Sequence, residues 1–96
     1  MLTINEIKSK LEQNKDNYHK KYGVKSIGIF GSFSRSDQSG ASDIDILVEF
    51  DRPIGLAFVD LAEEIEQLLK IKVDLVSKRA IKPRMLKSIE QELIYV

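Results

Sequence analysis

The stretch that decides the fold is residues 31–48, which read GSFSRSDQSGASDIDILV. A Gly-Ser pair at its start follows the apolar run 24–30, and Asp43 and Asp45 stand at the head of a second apolar run. Alternate side chains of a β-strand point to the same face, so we expect the two aspartates to share a face. Two such carboxylates repel each other unless they are well solvated or hold a cation. The stretch therefore predicts a solvated strand end or a metal site.

Apolar spacing on both sides of this stretch predicts a small α/β or α+β domain. Thr3 and Glu6 predict a capping box, Gly23 predicts the end of a helix, and Pro83 suits the first turn of a helix. The predicted elements are a helix at 4–21, strands at 24–30 and 44–50, a helix at 56–70, a strand at 72–76 and a last helix from about 83. This order predicts a small mixed β-sheet with helices packed on it. Residues 32–36 are predicted to form a short helical turn, residues 37–42 a loop and residues 94–96 an extended end.

Length and composition predict one soluble domain, residues 1–96. The chain has 96 residues, of which 43% are hydrophobic and 31% charged. It has no cysteine, which excludes disulfides and thiolate metal sites. No apolar run approaches the roughly 18 residues that span a bilayer, and we expect no signal peptide. We therefore expect a cytoplasmic protein.

The charges are unevenly distributed although the formal net charge is zero. Residues 31–69 carry nine acidic and two basic side chains, whereas residues 70–96 carry seven basic and three acidic ones. The acidic centre argues against nucleic acid binding there unless metal neutralises it. The basic C-terminal third either faces phosphate or an acidic partner, or is simply a solvated helix face.

The aspartates have the chemistry of a magnesium site. Mg²⁺ takes oxygen ligands and is usually held by one or two carboxylates together with substrate phosphates. Asp43 and Asp45 supply such carboxylates, and Asp74 lies on the polar face of the strand predicted at 72–76. If that strand is a neighbour of 44–50, the three carboxylates converge on one face and can hold two metal ions. Each aspartate taken singly is more typical of a solvated strand or turn.

The Gly-Ser pair has the chemistry of a phosphate site. Gly31 lets a ligand approach the backbone closely, and a helical turn from Ser32 would direct free amides and a hydroxyl at a phosphate. Arg35, one turn further, either contacts phosphate or braces an acidic loop through an ion pair. The simpler alternative for the pair is an ordinary turn.

The joint pattern resembles the minimal nucleotidyltransferase (MNT) family, within the DNA polymerase β-like nucleotidyltransferase superfamily. The family signature is Gly-Ser, ten residues, Asp-x-Asp and a later strand carboxylate. The matching positions here are Gly31, Ser32, Asp43, Asp45 and Asp74. The resemblance extends over nearly the whole chain, and no motif residue is missing.

This resemblance implies an enzyme that binds ATP and two Mg²⁺ ions and transfers a nucleoside monophosphate to a hydroxyl. It implies that Asp43, Asp45 and Asp74 ligate the metals, that Asp74 also activates the acceptor, and that Gly31 and Ser32 hold the β- and γ-phosphates. The implied partner is a HEPN-domain toxin in a type VII-like toxin–antitoxin pair, with AMP added to a toxin tyrosine. Alternatives are an antitoxin that acts by binding alone and a nucleotide-binding subunit of a two-chain transferase.

The size of the domain suggests that another chain presents the acceptor. Larger superfamily members carry a second domain for that substrate, and we expect none in these 96 residues. Apolar residues that could contact a partner, or instead complete the core, are Phe33, Met85, Ile94 and Tyr95.

Overall fold

A mixed β-sheet carries the fold of this protein, whose computed structural model describes residues 3–31 and 44–96. Within those residues the strands are β1 (Val24–Phe30), β2 (Ile44–Phe50), β3 (Val73–Ser77) and β4 (Ile94–Tyr95), and they lie in the order β3-β2-β1-β4. Strand β1 pairs antiparallel with both β2 and β4, whereas β2 and β3 are parallel. The predicted small mixed sheet is confirmed, and the extended C-terminal end is its fourth strand.

Three α-helices in the described residues flank the sheet: α1 (Ile4–Tyr22), α2 (Ala57–Leu69) and α3 (Pro83–Glu92). Helix α1 begins at the predicted capping box, in which the Glu6 amide donates to Thr3 Oγ1 and the Thr3 amide donates to Glu6 Oε1. It ends at Gly23, whose φ of 73° and amide bond to the His19 carbonyl close the helix. The predicted helix and strand boundaries differ from the observed ones by a residue or so.

Helices α1 and α2 bury one face of the sheet. That face of β2 is formed by Ile44, Ile46 and Val48, each fully buried. The helical side chains packed there come from α1 and α2 at helical spacing: Ile7, Leu11, Tyr18, Tyr22, Leu61, Ile65 and Leu69. In the part of the chain that is described, no helix is long and apolar enough to cross a membrane.

The C-terminal segment and α3 cover part of the other face of the sheet, where Leu47 is 4% exposed. The side chain of Leu93 lies over Gly28, so that a Cβ at Gly28 would come within 2.6 Å of it. The amide of Val96 donates to the Ile27 carbonyl, and Lys15 Nζ donates to the Val96 carbonyl. The C-terminal segment thus lies beside β1 and over Gly28, on the face of the sheet that also carries Asp45.

The predicted helical turn at 32–36 and the predicted loop at 37–42 lie outside the described residues.

Candidate active site

Asp45 and Asp74 are paired residues on the parallel neighbours β2 and β3. Their strands lie roughly 4.8 Å apart, and in-register residues of adjacent strands point to the same face. Asp45 is half-buried and Asp74 is exposed. The two strands are neighbours, which is the condition that convergence of the aspartates required, and the pairing brings two of the three predicted metal ligands together.

The start of β3 is fixed by helix α2. The helix ends at Lys70, whose φ of 59° and amide bond to the Glu66 carbonyl turn the chain towards the sheet. The Glu66 carboxylate then accepts the amide of Val73 at 2.9 Å, and the Ile44 amide donates to the Lys72 carbonyl at 3.1 Å. These bonds set the register that places Asp74 opposite Asp45.

Gly31 lies directly against the Asp45 side chain. It follows Phe30, the residue of β1 that pairs with Asp45, and its φ is 78°. A Cβ at Gly31 would lie 3.1 Å from Cγ of Asp45 and closer still to one carboxylate oxygen. The Gly-Ser and Asp-x-Asp parts of the motif therefore meet at this point.

Three of the predicted site residues, Ser32, Arg35 and Asp43, lie outside the described residues. Within residues 3–31 and 44–96 no group of three or more His, Cys, Asp or Glu side chains is arranged to hold a metal ion. The described part of the site is thus the pair Asp45 and Asp74 with Gly31 beside it. The roles predicted for all six residues stay predictions.

A groove of about 660 Å³ opens at the opposite end of β2 and β3, and sequence reasoning missed it. Glu49 lies on the same face as Asp45, roughly 13 Å further along the strand, and pairs with Lys78 at 3.9 Å. The remaining lining comes from the end of β2 and the segment after it, the start of α2, the end of β3 and the 3-10 turn after it, and α3: Phe50, Asp51, Arg52, Pro53, Ile54, Gly55, Phe58, Ser77, Arg79 and Leu86. Pro53 and Gly55 indicate from the sequence that the chain breaks after β2, but no local pattern indicates the shape of the groove.

A hydrogen-bonded cluster lies between α1 and α2, on the side of the sheet opposite Asp45. The hydroxyl of Tyr22 donates to the carboxylate of Glu64, which Lys21 also contacts at 3.2 Å. Burial raises the pKa of Tyr22, and the hydrogen bond to Glu64 acts in the same direction. Burial raises the pKa of Tyr18 to about 12. These groups stabilise the contact between the helices and take no part in the candidate site.

Several large apolar side chains are exposed: Leu56 at 88%, Met85 at 58%, Tyr95 at 55% and Val59 at 54%. Of the four residues considered for a partner contact, Met85 and Tyr95 are thus accessible, and Ile94 is half-buried. Phe33 lies outside the described residues. The contact itself remains a prediction.

Curated relatives of this chain are named as protein adenylyltransferases. Over 98 residues it is 55% identical to protein MJ0128 of Methanocaldococcus jannaschii, which carries the provisional name protein adenylyltransferase, and the match covers 100% of both chains. It is 42% identical over 97 residues to protein adenylyltransferase MntA of Thermococcus cleftensis, covering 100% of this chain and 98% of that one.

Solved structures share the fold. A structure provisionally identified as a minimal nucleotidyltransferase matches with a TM-score of 0.84 and 28% identity over 97% of this chain and 95% of that one. A crystal structure described as a toxin–antitoxin with AMP-PNP matches with a TM-score of 0.75 and 27% identity over 92% of this chain and 70% of that one.

The family model described as nucleotidyltransferase domain matches residues 4–96, nearly the whole chain. The predicted resemblance, fold and enzyme class are confirmed: the chain belongs to the nucleotidyltransferase domain family, as a minimal nucleotidyltransferase related to the protein adenylyltransferases.

Proposed function

We propose that this chain is a Mg²⁺-dependent protein adenylyltransferase. In this proposal it transfers AMP from ATP to a tyrosine hydroxyl of a HEPN-domain toxin, releases pyrophosphate, and so acts as the antitoxin of that toxin in the cytoplasm. The observation that carries the proposal is the pairing of Asp45 with Asp74 on parallel strands, with Gly31 against Asp45.

The residues present fit a magnesium ion. Both carboxylates belong to adjacent strands and face the same side, and oxygen ligands of this kind are those that Mg²⁺ prefers. Asp43 would complete the set. When bound, the metal would neutralise the negative charge that develops on the phosphate during transfer.

The chain's own residues have separate tasks in the proposed reaction. Gly31 and Ser32 hold the β- and γ-phosphates of ATP, and Arg35 contacts phosphate oxygens. The acceptor oxygen bonds to the α-phosphorus as the bond from that phosphorus to the pyrophosphate oxygen breaks. Asp74, the more exposed aspartate, takes the hydroxyl proton. The product is a phosphodiester between AMP and the tyrosine.

The partner is proposed from the relatives and from the exposed surface. The Thermococcus cleftensis relative is named protein adenylyltransferase MntA, and one solved neighbour is described as a toxin–antitoxin with AMP-PNP, an ATP analogue. Exposed Met85 and Tyr95 provide apolar area for a protein contact. A protein acceptor is consistent with the name of the relative, with the description of the solved neighbour and with this exposed surface.

The test uses the HEPN toxin, α-labelled ATP and Mg²⁺. We expect label on the toxin with the wild-type chain. Asp45→Asn should lower the rate of labelling at least about 100-fold, because even residues that only contact a metal ligand change metal affinity by up to that factor. Glu49→Gln is the matched control, because Glu49 lies on the same face of β2 but at the groove. No label with the wild type, or equal labelling by Asp45→Asn, would contradict the proposal.

A second candidate is neutralisation by binding alone, which the exposed Leu56, Val59, Met85 and Tyr95 favour. The combined variant Asp43→Asn with Asp45→Asn separates the two. If this variant still neutralises the toxin in growth assays, binding suffices. If it forms the complex but no longer neutralises, transfer is required.

A further inference from the structure

We propose that Gly31 is a positioning residue for Asp45: the absence of a side chain at residue 31 leaves the space that the Asp45 carboxylate occupies. The inference rests on the proposed function in one respect, namely that Asp45 is a metal ligand. It gives Gly31 a task that differs from phosphate binding, because Gly31 acts here on another side chain of the protein.

The contact follows from the pairing of β1 with β2. Phe30 is the last residue of β1 and lies opposite Asp45, so the next residue, Gly31, turns past the Asp45 side chain. A Cβ at Gly31 would lie 3.1 Å from Cγ and 3.5 Å from Cβ of Asp45, with a carboxylate oxygen nearer than either. Such a Cβ would meet the carboxylate, which only two rotatable bonds join to the backbone of Asp45.

The backbone at Asp45 has little freedom to move aside. It lies in the second position of β2, between the fully buried Ile44 and Ile46, and Asp74 lies opposite on β3. Rotation about the Cα–Cβ bond is therefore its main way to escape a Cβ at residue 31. That rotation would carry the carboxylate away from its observed position relative to Asp74. A displacement of about 1 Å is enough to impair a site that requires exact ligand geometry.

Other glycines in this chain separate the two consequences of a substitution at Gly31. Gly55 also has a positive φ, 55°, but nothing lies within 4 Å of a Cβ built on it. Gly55→Ala therefore introduces backbone strain without a collision. Gly23 has a φ of 73°, and a Cβ built on it would lie 2.6 Å from a carboxylate oxygen of Asp51. It lies at the end of α1, away from the candidate site. Gly23→Ala therefore reproduces both strain and collision elsewhere.

The first measurement is the affinity for Mn²⁺ in the presence of AMP-PNP, read from the electron paramagnetic resonance signal of free Mn²⁺. We expect Gly31→Ala to weaken Mn²⁺ binding at least tenfold. Gly55→Ala and Gly23→Ala should leave it within about twofold, since neither touches Asp45. An unchanged Mn²⁺ affinity for Gly31→Ala would overturn the proposal, as would an equal loss in all three variants.

The second measurement is a thermal-melting cycle without metal, comparing wild type, Gly31→Ala, Asp45→Ala and the double variant. We expect Gly31→Ala to lower the melting temperature by about 4 °C or more beyond the loss in Gly55→Ala, and this excess should disappear in the Asp45→Ala background. If Gly31→Ala lowers the melting temperature by the same additional amount with Asp45 and with Asp45→Ala, the proposed contact between Gly31 and Asp45 is wrong. Wild-type protein that binds no Mn²⁺ would instead contradict the proposed function, and the melting cycle would still decide whether Gly31 seats Asp45.

Discussion

Asp45 and Asp74 lie opposite each other on parallel strands, and both side chains point to the face of the sheet that helices α1 and α2 leave uncovered. Like charges in direct opposition destabilise a strand pair, by up to about 1 kcal/mol. A fold that places them there is expected to gain stability from anything that reduces this repulsion.

Removing one of the two charges should stabilise the metal-free protein. We expect Asp74→Asn to raise the free energy of unfolding by about 0.5 kcal/mol in urea titrations with EDTA present, because it removes repulsion with Asp45. The same variant should bind Mg-ATP more weakly. Asp16→Asn, at an exposed position on α1, serves as the control. A destabilised Asp74→Asn protein in EDTA would show that repulsion between the pair is not significant.

Mg-ATP should raise the melting temperature by mass action. At about 100 times the dissociation constant, a ligand of the folded state contributes about 2.7 kcal/mol, which is roughly 10 °C or more for a domain of this size. We expect the increase to require Mg²⁺ and ATP together and to be absent in Asp45→Asn. An unchanged melting temperature at saturating Mg-ATP would argue against convergence of the aspartates.

Loss of the Glu66 carboxylate should impair both stability and the site. Glu66→Ala leaves the Val73 amide without its acceptor, and we expect a loss of about 1–3 kcal/mol in the free energy of unfolding. Because this bond holds the start of β3, transfer of AMP should also fall. Glu63→Ala, at an exposed position of the same helix, is the control and should change neither quantity appreciably. Full activity of Glu66→Ala would mean that the bond does not position Asp74.

Stability should decline at high pH because of Tyr18. Its pKa is raised by burial to about 12, above the value of about 10 expected in the unfolded chain. The unfolded state therefore releases the proton first, so this contribution is fully present below about pH 10 and is lost as the pH rises towards 12. Urea titrations from pH 8 to 11.5 should show a smaller decline for Tyr18→Phe than for wild type. The control is Tyr95→Phe, at an exposed residue, which should follow the wild-type profile.

Much of the fold was predictable because its signals are local. The capping box at Thr3, the stop at Gly23 and the apolar runs of β1 and β2 each lie within a few neighbouring residues. Asp74 could be placed on a polar strand face because Val73 and Leu75 alternate with it. That placement required only the period of a strand.

Long-range contacts could not be predicted in the same way. The bond from Val73 to Glu66 and the lining of the groove depend on how separate elements pack, which no local pattern encodes. The sequence predicted a phosphate-binding role for Gly31. Its contact with Asp45 becomes visible only once the register of β1 and β2 is known.

The central position of β1 has a consequence for how the chain folds. Gly28 pairs on one side with Leu47 and on the other with Tyr95, which lies far along the chain. Pairings over such separations carry a large loop-closure entropy and slow the formation of a sheet. We expect the β1–β2 hairpin and the α2 crossover to assemble first, with residues 94–96 joining last. Until they do, one edge of β1 lacks a strand partner, and we expect the protein to be most prone to aggregate in this interval.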